Sequence, residues 1–389
     1  MVTLLSRGRA ALAGRPGANS TVTTAPAGIG RTDRHEGGPL TTVEARETVD
    51  PFIPERDSRW YRAMRHFWHP VAYSKDVAED QMVSGRLLGE RILVVRHQGE
   101  VRAFMDVCRH KGAAPSLGWV ENGCINCPYH GWAYDMDGTL VSIPSRPELN
   151  GVLQVGLVRY LCRESSGMVW VSLTDEPWGD PPGIPEWDDP IMRWQTPPSY
   201  DWATSSPRRL ENFVDFSHFP FVHENVLGTR DKAQIEEHDV WREDGALRFD
   251  KVFVEPNVDR MKEMLGIDED TMSVRNWYQL TVPGSISLVR TFPNGKRYAL
   301  YMVTAPTGPA TCRNFWHIGA DFTSTSDDMD FLLEFEYMVL DQDQPVVESQ
   351  WPEHLPDRLS AETYVKVADD ITLAYRKWLF ELAEELEPN

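Results

Sequence analysis

The chain has 389 residues, more than one hydrophobic core usually fills, so two domains or one elaborated domain are expected. Its 39 Lys and Arg against 59 Asp and Glu leave a formal charge of −20, which repels phosphate backbones and disfavours nucleic acid as a partner. No run approaches the roughly 18 apolar residues that span a bilayer, and no signal-peptide pattern opens the chain, so a cytoplasmic protein without a membrane partner is expected.

Residues 1–50, rich in Gly, Ala, Thr and Arg, are expected to form a disordered tail rather than a transit peptide. From "WYRAMRHFWHPVAYSKDV" the composition turns globular. "RILVVRHQGEVRAFMDV" alternates apolar and polar residues around a "QGE" turn, as a hairpin does. The runs "WAYDMDGTLVSI", "LVRYLCRE" and "GMVWVSL" read as further strands with Gly or Asp-Gly turns. A small antiparallel β domain over residues 58–175 is predicted. The Pro- and Asp-dense "TDEPWGDPPGIPEWDDP" (174–190) marks the junction to a second domain over residues 176–389. There a helical "SPRRLENFVDFSHFPFVHENVLG" precedes strand-like "WYQLTVPGSISLVRTF", "RYALYMVTAP" and "RNFWHIGADF". Helices are predicted in "DMDFLLEFEYMVLDQDQPVVESQ" and "YVKVADDITLAYRKWLFELAEEL". The fold class is α+β, a sheet backed by helices.

Five cysteines in so long a chain argue against a disulfide framework, and their clustering suggests metal. The stretch "CRHKGAAPSLGWVENGCINCPYHGW" pairs Cys108 with His110 and, sixteen residues later, Cys127 with His130. Zinc is one reading of two thiols and two imidazoles. The order C-x-H…C-x-x-H gives each loop one sulfur for one iron and one nitrogen for the other, the ligation of a Rieske [2Fe–2S] centre. Gly112, Gly118, Pro128 and Gly131 suit loops wrapped round a cluster, with Tyr129 and Trp132 as shields. Cys124, Cys162 and Cys312 read as packing.

The string "CRHKGA…CPYHGW" resembles the cluster loops of the Rieske non-haem iron oxygenases. A second string, "ENFVDFSHFPFVH" (211–223), resembles the mononuclear-iron helix of the same family. Two histidines on an amphipathic segment are more often ordinary packing. His218 and His223 can face one cavity if the helix breaks between them, and Pro220 is expected to break it. The resemblance implies Cys108 and Cys127 on one cluster iron, His110 and His130 on the other, and ferrous iron on His218 and His223. It draws the third ligand from a late helix like "VLDQDQPVVESQ": Asp343 first, Asp341 or Glu348 otherwise. Two histidines and one carboxylate leave open positions for O₂ and substrate.

The resemblance further implies that Asp215 orients His218 and bridges to a cluster histidine of the neighbouring subunit in a homotrimer, and that Asn212 lies close to the iron. It implies a catalytic domain of helix-grip (START-like) fold, a curved antiparallel sheet around a long helix. The expected activity is that of a terminal oxygenase that uses O₂ to hydroxylate or demethylate a small aromatic or polycyclic molecule. No dinucleotide fingerprint is present, so a ferredoxin or an NAD(P)H-dependent reductase must supply electrons. The closing "ADDITLAYRKWL" favours the smaller monooxygenase and demethylase branch over ring-hydroxylating dioxygenases. A Rieske electron carrier without the second iron is the alternative. Trp277, Tyr278, Phe292, Tyr301, Phe315 and Trp316 are pocket candidates among strand aromatics that are usually core.

Overall fold

Gln98 and Gly99 both take positive φ, 54° and 77°, and fold the alternating runs on either side into strands Glu90–His97 and Glu100–Met105. The computed structural model describes residues 58–388, so the tail expected over residues 1–50 lies outside the described residues. The hairpin is the middle of a six-stranded antiparallel sheet. Its order is His69–Tyr73, Met168–Ser172, Arg159–Ser165, Glu100–Met105, Glu90–His97, Met82–Leu87. A smaller sheet of Trp119–Glu121, Cys124–Asn126, Ala133–Asp135 and Leu140–Ser142 carries the Cys/His stretch. The segment before His69 is helical rather than extended. Ser58 Oγ accepts from Tyr61 N at 3.3 Å and caps α1 (Arg59–Ala63), and the buried Trp60, Ala63, Met64 and Phe67 follow helical spacing.

The Pro- and Asp-rich stretch is irregular, with one 3₁₀ turn at Pro185–Asp188. Beyond it an eight-stranded antiparallel sheet forms. Arg193–Gln195 and Tyr200–Trp202 both pair with Thr311–Ala320, and the order continues through Arg297–Gly308, Ser285–Thr291, Thr271–Thr281, Ala246–Pro256 and Trp241–Glu243. The helices are α2 (Ser206–Val214), α3 (Phe219–Val222), α4 (Asp259–Leu265), α5 (Ser326–Val347) and α6 (Asp370–Leu386). One core joins them to the sheet: Leu210 of α2, Leu332 of α5 and Leu379 of α6 pack with Phe249, Leu280, Leu300 and Ile318 of the strands. The α+β architecture predicted above is the one observed.

Two helix boundaries differ from the periodic pattern. The last helix starts at Asp370 rather than Tyr364, because Val367 takes φ 75°, a conformation that a β-branched residue cannot hold within a helix. At α5, Thr325 and Asp328 form a reciprocal capping box, which fixes the start of the helix that carries the site carboxylate.

Candidate metal centres

The two Cys/His halves build the same loop twice. Gly112 N donates to Cys108 O at 2.9 Å, and Gly131 N to Cys127 O at 3.0 Å. Cys108 N donates to Ala113 O at 2.8 Å, and Cys127 N to Trp132 O at 2.9 Å. Gly112 and Gly131 hold φ of 72° and 69°, so each loop needs glycine four residues after its cysteine. Gly118 meets a different need. A Cβ there would lie 1.9 Å from Asn126 O, so it permits a close approach of backbones rather than contact with a cluster.

Cys108 and Cys127 are buried within one apolar cluster that includes Leu93 and Ile125. His110 and His130 stand at the surface side with their Nδ1 atoms 3.0 Å apart. Trp132 stacks on His110 with ring centroids 4.6 Å apart, and Tyr129, itself exposed, lies against His130 at 3.9 Å. Burial pushes the Cys127 thiol up, and the adjacent Cys108 adds to this. A single tetrahedral ion needs all four donors within about 4 Å of one another. Among the described residues no three of these four gather within 4.8 Å. A thiol pair beside an imidazole pair instead suits two irons.

Sequence reasoning missed three supports of this loop. Tyr134 Oη lies 3.1 Å from Cys108 Sγ and accepts from Arg109 N at 3.2 Å. Buried Asp106 accepts from both N and Oγ of Ser116, at 2.9 and 2.7 Å, and Arg91 Nη2 donates to Gly112 O at 3.0 Å. Cys124 sits partly buried in its short strand, and Cys312 is fully buried.

The second constellation forms where α2 stops. Asp215 caps it, the chain turns through Phe216 and Ser217, and His218 and His223 flank the single turn of α3. The break thus precedes His218 instead of falling between the histidines. Pro220 occupies the first turn of α3, where its missing N–H would be unpaired in any case.

Asp343, on α5, brings one carboxylate oxygen to both rings. Its Oδ1 is 3.4 Å from His218 Nε2 and 3.0 Å from His223 Nε2, and one donor atom from each of the three residues lies within 4.8 Å of the other two. His223 Nε2 and Asp343 Oδ1 are buried, yet neither makes a hydrogen bond. Two buried polar atoms 3.0 Å apart that make no hydrogen bond fit a shared cation. The outer nitrogens are held separately: His218 Nδ1 by Asp215 Oδ2 at 3.3 Å and His223 Nδ1 by Gln342 Oε1 at 2.8 Å. An acceptor on Nδ1 keeps the proton there and frees Nε2 as a ligand.

Burial pushes the His218 ring down, but Asp215 and Asp343 outweigh it and lift the ring to about 9. Burial likewise raises the Asp343 carboxyl, and His218, His223 and Arg209 overcome this to hold it well below the usual carboxylate range. Asp341 is exposed, and Glu348 accepts from Ala203 N and Gln344 Nε2, both at 2.9 Å, so neither joins the constellation. Asn212 Oδ1 is engaged by Arg209 Nη1 at 2.7 Å.

A cavity beside Asp343 is walled by Phe213, Leu300, Met302, Trp316 and Leu340, with Arg209 and Glu336 as further polar groups. Of the six aromatic pocket candidates only Trp316 lines it. Tyr278, Phe292, Tyr301 and Phe315 are core, and Trp277 packs against core. No helix among the described residues is long and apolar enough to cross a membrane.

Residues 67–155 match the Rieske [2Fe-2S] domain family, and residues 202–385 match the vanillate O-demethylase oxygenase C-terminal domain. Methylxanthine N3-demethylase NdmB of Pseudomonas putida is 33% identical over 87% of this chain and 93% of its own length. Methylxanthine N1-demethylase NdmA of the same organism is 32% identical over 84% and 91%. The structure of NdmA with caffeine superposes with a TM-score of 0.73 at 29% identity, covering 84% of this chain and 93% of that one. Dicamba monooxygenase shares the fold, with a TM-score of 0.67 at 18% identity over 83% of this chain and 98% of that one.

Proposed function

The chain belongs to the Rieske non-haem iron oxygenases, and from that premise we propose that it removes an N-methyl group from a small N-heteroaromatic molecule. As a family member it is an oxidoreductase that acts on a small molecule with electrons from a partner protein, and the reading as a bare electron carrier falls away. In this proposal Cys108, Cys127, His110 and His130 hold the [2Fe–2S] cluster within residues 58–175. His218, His223 and Asp343 hold ferrous iron within residues 176–389, and three copies form a ring.

Bound at those three side chains, ferrous iron would supply the O₂ chemistry of a facial triad. The protein's own part is to position and to exclude water. Asp215 and Gln342 fix the rings of His218 and His223, and the largely apolar cavity beside Asp343, about 40 Å³ in volume, must widen to take a flat substrate. The overall reaction takes O₂, two electrons and two protons. One oxygen atom leaves as water, and the other converts N–CH₃ to N–CH₂OH, which releases formaldehyde and N–H.

The observation that carries the proposal is the convergence of two orphaned buried atoms, His223 Nε2 and Asp343 Oδ1, next to an apolar cavity. N-methyl heteroaromatics should release stoichiometric formaldehyde when incubated with the holoprotein, an NADH-dependent reductase and O₂. Substrate consumption without formaldehyde would replace demethylation with ring hydroxylation.

A further inference from the structure

Glu336 has no place in the metal constellation, yet it lines the cavity that Asp343 closes. The two residues are seven apart on α5, so they share a helix face about 10 Å from each other along the axis. The lining between them is mostly apolar, with Phe213, Leu300, Met302, Trp316 and Leu340 beside Tyr200 and Arg209. Tyr298 Oη donates to Glu336 Oε1 at 2.6 Å, and Oε2 receives no hydrogen bond among the described residues. A carboxyl oxygen without a partner on a residue that lines the cavity is free to accept from a donor on a ligand.

Resting on the demethylase reading, we propose that Glu336 is the specificity residue of the cavity, accepting a hydrogen bond from a ring N–H or other donor at the end of the substrate remote from the oxidised carbon. The same carboxylate repels aromatic acids. Arg209 lines the cavity too, and its buried Nε is without a hydrogen-bond partner. Its Nη1 is spent on Asn212 Oδ1 at 2.7 Å and its Nη2 on Tyr200 Oη at 3.1 Å, while its face covers Trp202 at 4.2 Å. Burial pushes the Glu336 carboxyl up, and the Tyr298 hydroxyl and the Arg290 charge offset this only in part. On this assignment the favoured substrate is an N-heteroaromatic that bears a donor at that end.

The test is equilibrium binding to the anaerobic holoprotein without reductase, with theobromine, caffeine and dicamba as probes. Theobromine carries a ring N–H where caffeine carries N-methyl, and dicamba is an aromatic carboxylate. The wild type should favour theobromine over caffeine by about tenfold or more and should bind dicamba worst. Glu336→Leu should erase the N–H preference, Glu336→Gln should admit dicamba, and Tyr298→Phe, which leaves the carboxylate in place, should preserve both discriminations. Unchanged cluster absorption certifies each variant as folded. Equal discrimination in wild type and Glu336→Leu, or failure of theobromine to bind the wild type, would overturn the assignment. The demethylase reading fails separately, as absent formaldehyde release from a bound N-methyl compound.

Discussion

Gln342 Oε1 lies 2.8 Å from Nδ1 of His223, and the next residue on the same helix, Asp343, reaches Nε2 of that ring at 3.0 Å. Two consecutive residues of α5 thus grip one imidazole from both ends, so the helix that supplies the carboxylate also sets the tautomer of the histidine. Gln342→Leu should lower the affinity of the second site for ferrous iron by roughly 10–100-fold without changing cluster absorption. Iron titration of protein stripped of its mononuclear metal measures this. Unaltered affinity would mean that the amide merely packs.

Tyr134 points its hydroxyl at Cys108 Sγ from 3.1 Å. A donor to a ligand sulfur favours the reduced, more negative cluster. Tyr134→Phe should therefore lower the reduction potential, and a bond of about 1 kcal/mol corresponds to roughly 40 mV for a one-electron couple. Spectroelectrochemical titration reads the shift, and a potential that stays or rises would contradict it.

The position of α2, and with it Asp215 and His218, depends on a buried ion pair. Arg376 of α6 binds Glu211 through Nε and, at 2.7 Å, through Nη2, and it also pairs with Glu362 at 2.7 Å. Arg376→Met strands Glu211 as a buried unpaired charge and should cost about 3–5 kcal/mol by chemical denaturation. Adding Glu211→Leu should recover part of that loss, because the uncompensated charge is gone.

Asp215 is one-third exposed although it holds His218, and in the proposed ring that side would meet a neighbouring copy. Asp215→Asn should keep both metals and abolish turnover, and Cys108→Ser should do so by losing the cluster. If the proposed ring forms, mixing the two variants should restore partial activity, since an intact cluster then faces an intact iron site across one boundary. A mixture as inactive as its parents would place the electron path within one chain.

What was legible in the sequence is what short-range chemistry dictates. Turn glycines and alternation marked the strands from Glu90 to Ser172, and the C-x-H…C-x-x-H order marked a two-metal cluster. The rest is set by partners distant in the chain. Gln342 is an ordinary polar helix residue until His223 arrives from 119 positions away. Glu336 reads as a solvated helix face, as does Arg376, whose partner Glu211 is 165 residues earlier. Pro220 was misplaced because proline breaks a helix interior but is at home in a first turn, and sequence does not say where the turn begins.

Iron and acid-labile sulfide per chain test the central claim, that one chain carries a cluster and a separate three-ligand iron site. The wild type should hold three irons and two sulfides. His223→Ala should hold two and two, with cluster absorption and EPR unchanged, because the two centres share no side chain. Two irons in the wild type, or a His223→Ala protein that loses its colour, would contradict it.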